Sequence, residues 1–281
     1  MLRIRIVNKL LILLLFNNII KSENLFHVLE YRPFPEEMRV LNFQPEEFCW
    51  SIANNFILLD KSKNEILSLD QFGNISLSSS FGLRLHSYGE LVWGGISPDG
   101  IFLVDRLNNM IYLLDYRLNI ISNTNLEPRF FPEMGAIDPR GRVLLYSSHY
   151  NSVFSYSEVS QIDKFIDLNR LVNTRGCIKD MDVNDEGELA LLDCNEFLHL
   201  FTKLGRLKNS IPVNLEKPQF IAFVQEKWFL FNKKGNGIDI ASQEKLEIPE
   251  VTIPILDLIS FNRTISILSN DHILILEVKS H

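Results

Sequence analysis

Apolar residues in this chain come in short runs, separated by polar turn residues roughly every 8–12 positions. The stretch from Trp93 to Asp115 shows the pattern best, with three apolar runs in succession. Ser97-Pro-Asp-Gly100 parts the first two: proline fixes φ in the turn, and glycine is free to take φ above zero. Leu107-Asn-Asn109 parts the second from the third. Runs of this length, rich in β-branched and aromatic residues and bounded by turns, predict strands joined by tight hairpins. Beyond residue 22 no long segment carries the 3.6-residue period of a helix.

The unit repeats along the chain. Phe56–Asp60 and Ile66–Asp70, followed by Gly73, match Ile101–Asp105 and Ile111–Asp115. A third copy runs through Glu188–Asp193 and Phe197–Thr202 to Gly205. Fainter copies are Arg142–Ser147 with Ser152–Tyr156, Trp228–Phe231 with Gly237–Ile240, and Thr264–Leu268 with His272–Leu276. Their first turns fall at Asn55, Gly100, Gly141, Gly187, Lys227 and Arg263, with steps of 36 to 46 residues. That is the period of a four-stranded propeller blade, so the fold class expected is all-β: a six-bladed β-propeller of antiparallel blades. The last copy supplies three strands, near Ile255–Ser260, Thr264–Leu268 and His272–Val278. Residues 25–31, an apolar stretch ahead of Arg32-Pro-Phe-Pro35, are therefore assigned as the outer strand of the sixth blade, antiparallel to 272–278. Closure of this kind removes two exposed strand edges.

The segment Ile96–Asp115 resembles the repeat of six-bladed NHL-like propellers: an apolar strand, a Pro-Asp-Gly turn, a strand ending in Asp, then Asn-Asn and another strand. The resemblance extends to all six copies in rhythm. The Trp-Asp and Gly-His signatures of WD40 repeats are absent.

Charge and the amino terminus add a compartment. Arg3, Arg5 and Lys9 precede the apolar run Leu10–Phe16, and Ile20-Lys-Ser22 offers a small residue for cleavage. The pattern is that of a secretory signal peptide over residues 1–22, with residues 23–281 as one propeller domain. The run is too short to span a bilayer, and no later segment is long enough either. Losing residues 1–22 removes four of the 28 basic residues and none of the 35 acidic ones, which takes the net charge from −7 to −11. Such a surface repels phosphate backbones, which makes nucleic acid a poor partner. A monomeric protein, exported to a periplasmic or extracellular compartment, is expected.

Candidate chemistry is sparse. The histidines at 27, 86, 149, 199, 272 and 281 fall in separate repeats without metal-ligand spacing, and nucleophile-elbow, Walker and dinucleotide fingerprints are missing. Lys234-Gly-Asn-Gly237 reads as a turn. Glu133, Asp180, Asp182 and Asp257 lie in the first strands of their blades, which line the central channel of a propeller. Converging there, they could hold calcium, which needs several oxygen ligands. Trp50, Trp93 and Phe220 occupy the corresponding stretches of other blades and argue against a complete ligand ring. Asp60, Asp105 and Asp193 recur at the ends of second strands, which points to a structural role in the turn that follows. Asn74-Ile-Ser and Asn262-Arg-Thr are glycosylation sequons, relevant to a eukaryotic secretory route. Two functions follow: a non-catalytic module binding protein or glycan without a cofactor, or a metal-dependent lactonase-like hydrolase or lyase with a channel calcium.

Of the three cysteines, Cys177 and Cys194 flank the turn Asn184-Asp-Glu-Gly187. If Val183 faces Glu188 in that hairpin, Cys177 falls opposite Cys194, within disulfide range. Cys49 is left as a free, buried thiol.

Overall fold

Among the described residues, 24 strands pair into six four-stranded antiparallel sheets. The computed structural model describes residues 25–51, 54–77, 88–157, 162–170, 176–249 and 254–279. The leader expected over 1–22, His86 and His281 lie outside them. Inner strands are Glu47–Trp50, Leu91–Ser97, Met134–Ile137, Ile178–Val183, Pro218–Val224 and Asp257–Phe261, in blades 1 to 6. Each inner strand contacts the next, and that of blade 6 contacts that of blade 1, closing the ring. The chain is a six-bladed propeller.

Second strands show why the apolar runs do not alternate. Phe56–Asp60, Gly100–Asp105, Val143–Ser147 and Leu189–Asp193 are buried at every position. Each blade is covered on both faces by its neighbours, so both sets of side chains need a dry contact. The cores therefore lie between blades. Phe56 and Leu58 of blade 1 pack with Ile273 and Ile275 of blade 6, and Phe229 and Phe231 of blade 5 pack with Ile265 and Leu274.

Blade 6 is completed from the other end of the chain. Phe26–Pro33 pairs antiparallel with His272–Val278, with Phe26 opposite Val278, Tyr31 opposite Leu274 and Pro33 opposite His272. The register slips between Val28 and Glu30, which leaves Leu29 out of the pairing and 51% exposed. The strand outruns the expected 25–31 by two residues, because an outermost strand tolerates a proline that donates no N–H.

The recurring aspartates are buried turn anchors. Asp60 accepts the N–H groups of Lys63 (3.0 Å) and Gln44 (2.8 Å). Asp105 accepts those of Asn108 (2.9 Å), Gly89 (2.6 Å) and Glu90 (3.0 Å). Asp193 accepts those of Asn195 (2.9 Å) and Phe197 (2.8 Å), and its Oδ2 lies 3.2 Å from His199 Nε2. In blades 1 and 2 one carboxylate thus holds both its own turn and the loop entering the inner strand.

Cys177 and Cys194 form a disulfide with Cα atoms 5.6 Å apart. The register behind it corrects the expectation. Val183 faces Leu189, not Glu188, and Asp180 faces Leu192. Continued unbroken, that ladder would carry Cys177 past Cys194. Lys179 sits in a bulge between the Asp180–Leu192 and Ile178–Asp193 pairs, and the extra residue brings Cys177 opposite Cys194. The Cys194 N–H donates to the Cys177 carbonyl at 3.1 Å. Cys49 is free and half-buried, and burial, then Glu47 and Asp257, pushes its thiol pKa upward.

Candidate functional site

The six inner strands enclose a central cavity of about 650 Å³. Its wall includes all four candidate acids, Glu133, Asp180, Asp182 and Asp257, together with Trp50, Trp93 and Phe220. Glu133 precedes its inner strand by one residue and Asp257 opens its own. Trp93 narrows the lumen between blades 2 and 3. A Cβ at Gly135 would lie 2.7 Å from the Trp93 ring, so only glycine lets the indole cross there.

The inner edge of each inner strand has no further strand to pair with, and its N–H groups need acceptors. The acids supply them across blade boundaries. Asp180 of blade 4 accepts Ile221 N–H of blade 5 at 2.6 Å, besides Met181 N–H at 2.8 Å. Asp257 of blade 6 accepts Phe48 N–H of blade 1 at 3.0 Å and Leu258 N–H at 2.9 Å. Glu47 of blade 1 accepts Gly94 N–H of blade 2 at 3.0 Å. Between blades 5 and 6, Phe223 N–H donates to Ser260 Oγ at 3.2 Å, and that hydroxyl reaches Asp182 at 3.4 Å. Asp182 also accepts its own neighbour, Val183 N–H, at 2.8 Å. Glu133 takes a different partner, the Ser148 hydroxyl.

Packing carboxylates into one lumen raises their proton affinity. Burial, with Asp257 and Asp182 nearby, lifts Asp180 well above the ordinary range despite its N–H partners. Burial lifts Asp182 to about 6, against the opposing hydrogen bonds from Val183 and Ser260. Burial and then the Glu47 charge lift Asp257 to about 7.

Glu47 and Lys61 escaped the sequence reading. Lys61 Nζ lies 2.5 Å from Glu47 Oε2 at the cavity wall. Burial acts to lower its pKa, but Glu47 and Asp257 prevail and the net shift is upward. The signal was present: Lys61 and Arg106 follow the equivalent Asp60 and Asp105, and each pairs with an acid of its own blade, Glu47 and Glu90.

Among the described residues, no group of three or more His, Cys, Asp or Glu side chains gathers as a metal site, and no histidine lines the cavity. The histidines lie apart. His199 is buried between Asp193 and Ser210, while His272 is buried beside Asp271 and Tyr31. His149 stands on the rim between Phe131 and Tyr150. No helix of the described residues is long and apolar enough to cross a membrane.

No protein-family model matches the chain, and no curated protein matches it in sequence. Solved structures do match in fold. A catalytically inactive virginiamycin B lyase from Staphylococcus aureus, with quinupristin, aligns with TM-score 0.63 and 13% identity over 83% of this chain and 80% of its own. A streptogramin B lyase gives TM-score 0.59 and 14% identity over 91% and 88%. YCF48 bound to a peptide gives TM-score 0.58 and 13% identity over 80% and 76%. At these identities the likeness is one of fold, and it places both a lyase and a peptide binder on the same six-bladed or related architecture.

Proposed function

We propose that this protein is an exported, non-catalytic propeller that binds a partner through its rim loops. One observation carries the reading. Three of the cavity carboxylates, Asp180, Asp257 and Glu47, among the groups best suited to acid–base or metal chemistry, are engaged as acceptors of backbone N–H groups from the adjoining blades. Their task is to hold the ring, which leaves recognition to the loops. The Cys177–Cys194 disulfide supports an oxidising compartment outside the cytoplasm. A ring closed by the chain's own amino-terminal strand supports a monomer.

A second reading is kept because Asp180, Asp182 and Asp257 line one cavity with raised proton affinity, a condition that also marks acid–base sites. It makes the chain a lactonase-like hydrolase or lyase dependent on calcium. Purified protein, with calcium or with chelator, incubated with quinupristin and simple lactones and followed by mass spectrometry, decides between them. No turnover is expected, and no calcium-dependent rise in melting temperature. Turnover abolished by Asp180→Asn overturns the binding reading.

A further inference from the structure

The loop entering blade 3 carries an unusual surface. Phe130 is fully buried and its carbonyl accepts the Ser147 hydroxyl, which pins the loop to the end of the second strand. The next residue, Phe131, has φ +53°, left-handed backbone that a bulky residue adopts only at a cost of about 1–2 kcal/mol. That turn of the backbone directs its ring outward, 37% exposed. Strain held in place by a buried neighbour, to present an aromatic to solvent, is a pattern of functional surfaces.

Around it the rings form a stepped wall. Phe131 meets His149 at 5.4 Å between centroids and 65° between planes. His149 meets Tyr150 at 4.9 Å and 86°. Arg129 lies over the Phe131 ring, 4.9 Å from its centroid. Tyr150 OH donates to the Arg129 carbonyl at 3.4 Å, and Leu107, 58% exposed, extends the patch toward blade 2. Edge-to-face rings leave notches instead of an open flat face, and the guanidinium occupies one face of Phe131. A sugar ring needs such a face; a branched or aromatic side chain needs a notch.

Charge selects the partner further. Arg106, Lys61 and Arg142 are each paired with a carboxylate. Arg129 instead donates to the Leu107 carbonyl at 3.1 Å, and among the described residues it has no carboxylate partner. Nearby acids are occupied: Glu127 accepts from Asn125 at 2.8 Å and Glu133 from Ser148. An unpaired guanidinium beside exposed aromatics complements an acid next to an apolar side chain.

Resting on the binding reading above, we propose that Arg129, Phe131, His149 and Tyr150 form the docking site for an extended segment of a partner protein. In that segment an Asp or Glu pairs with Arg129, and an adjacent apolar side chain packs against the exposed rings of Phe131 and Tyr150 on either side of His149.

A phage-displayed random dodecapeptide library panned on the intact protein tests it, with the enriched peptides resynthesised and their affinities measured by fluorescence anisotropy. Enriched sequences are expected to carry Asp or Glu within two residues of Phe, Leu or Ile. Arg129→Glu and Phe131→Ala should each weaken binding at least about ten-fold, and Arg129→Lys less, since lysine keeps the charge without the bidentate fork. Both side chains are exposed, and unchanged thermal melts control for folding. The same variants are probed with oligogalacturonate. No enrichment, enriched peptides without acids, affinities indifferent to both substitutions, or Arg129-dependent oligogalacturonate binding in place of peptide binding would each overturn the proposal. Peptides that bind indifferently to these variants end this inference and leave the binding-module reading standing. Asp180-dependent lactone turnover ends that reading instead.

Discussion

Asp182 and Asp257 bind protons more tightly in the folded chain than an unfolded aspartate does, and this fixes the sign of a pH effect. The unfolded value is about 3.9, whereas burial brings Asp182 to about 6 and Asp257 to about 7. Between those limits the folded state holds more protons, so stability falls as pH rises. The melting temperature should therefore decline from pH 5 to pH 8, with Asp182 and Asp257 contributing alongside Asp180, which burial also lifts. Asp182→Asn keeps an oxygen for Val183 N–H and removes the charge. It is expected to flatten the decline and to stabilise the protein at pH 8 by on the order of 1 kcal/mol, discounted because the side chain is half-buried. A variant whose melting curve keeps the wild-type pH slope contradicts the assignment. Asp180→Ala should act in the opposite direction at low pH, where charge is not at issue. It leaves Ile221 N–H without its 2.6 Å acceptor, at a cost of about 1–3 kcal/mol in urea unfolding. The bond between Asp180 and Ile221 was not legible in the sequence, because acceptor and donor lie in different repeats, 41 residues apart. Spacing within one repeat can say that an acid faces the lumen, but not which edge N–H it meets.

At the scale of the element, the hairpin of blade 4 shows how far periodicity reads and where it stops. Apolar rhythm located the strands closely: Phe56–Asp60, Ser152–Tyr156 and Thr264–Leu268 fall where the runs place them. It could not set register, since a turn of given composition closes hairpins of neighbouring registers equally well. The turn after Asn184 closes one residue later than Val183 opposite Glu188 requires, and the bulge at Lys179 offsets the difference before the cysteines are reached. The disulfide was thus legible although the ladder leading to it was not. Its removal is a clean test of the energetics. The cysteines are 17 residues apart, and a loop of that size stabilises by about 2–3 kcal/mol through the unfolded chain. Cys177→Ser with Cys194→Ser, or reductant added to the wild type, should lower the melting temperature by several degrees. Cys49→Ser should leave the response to reductant unchanged. Alkylation of Cys177 and Cys194 in unreduced protein, read by peptide mass spectrometry, would contradict the pairing.

For the whole molecule the decisive interaction is the one that turns a row of blades into a ring. Counting strands was enough to see that the last repeat lacked one and that the apolar stretch at the start could supply it. What the count could not show is how the closing strand is fastened to blade 1 as well as to blade 6. Arg32, 3% exposed, lies over the Phe56 ring at 4.7 Å and donates from Nε to Glu30 at 2.8 Å and from Nη1 to the Asn54 carbonyl at 3.4 Å. Phe56 and Asn54 belong to blade 1, so this side chain spans the seam between the first and last blades. Two perturbations of different size follow. Deleting residues 23–32 removes most of the Phe26–Pro33 pairing and uncovers the apolar edge of His272–Val278. Loss of cooperative unfolding and concentration-dependent aggregation by light scattering are expected. Arg32→Ala leaves the strand in place and removes only the seam contact. It should cost about 1–2 kcal/mol, from the cation–π contact and the lost hydrogen bonds, with unfolding still a single transition. If the truncated chain melts like the full one, closure lies elsewhere. If Arg32→Ala splits the melt into two transitions, the seam is the weak point of the ring and not merely one bond across it.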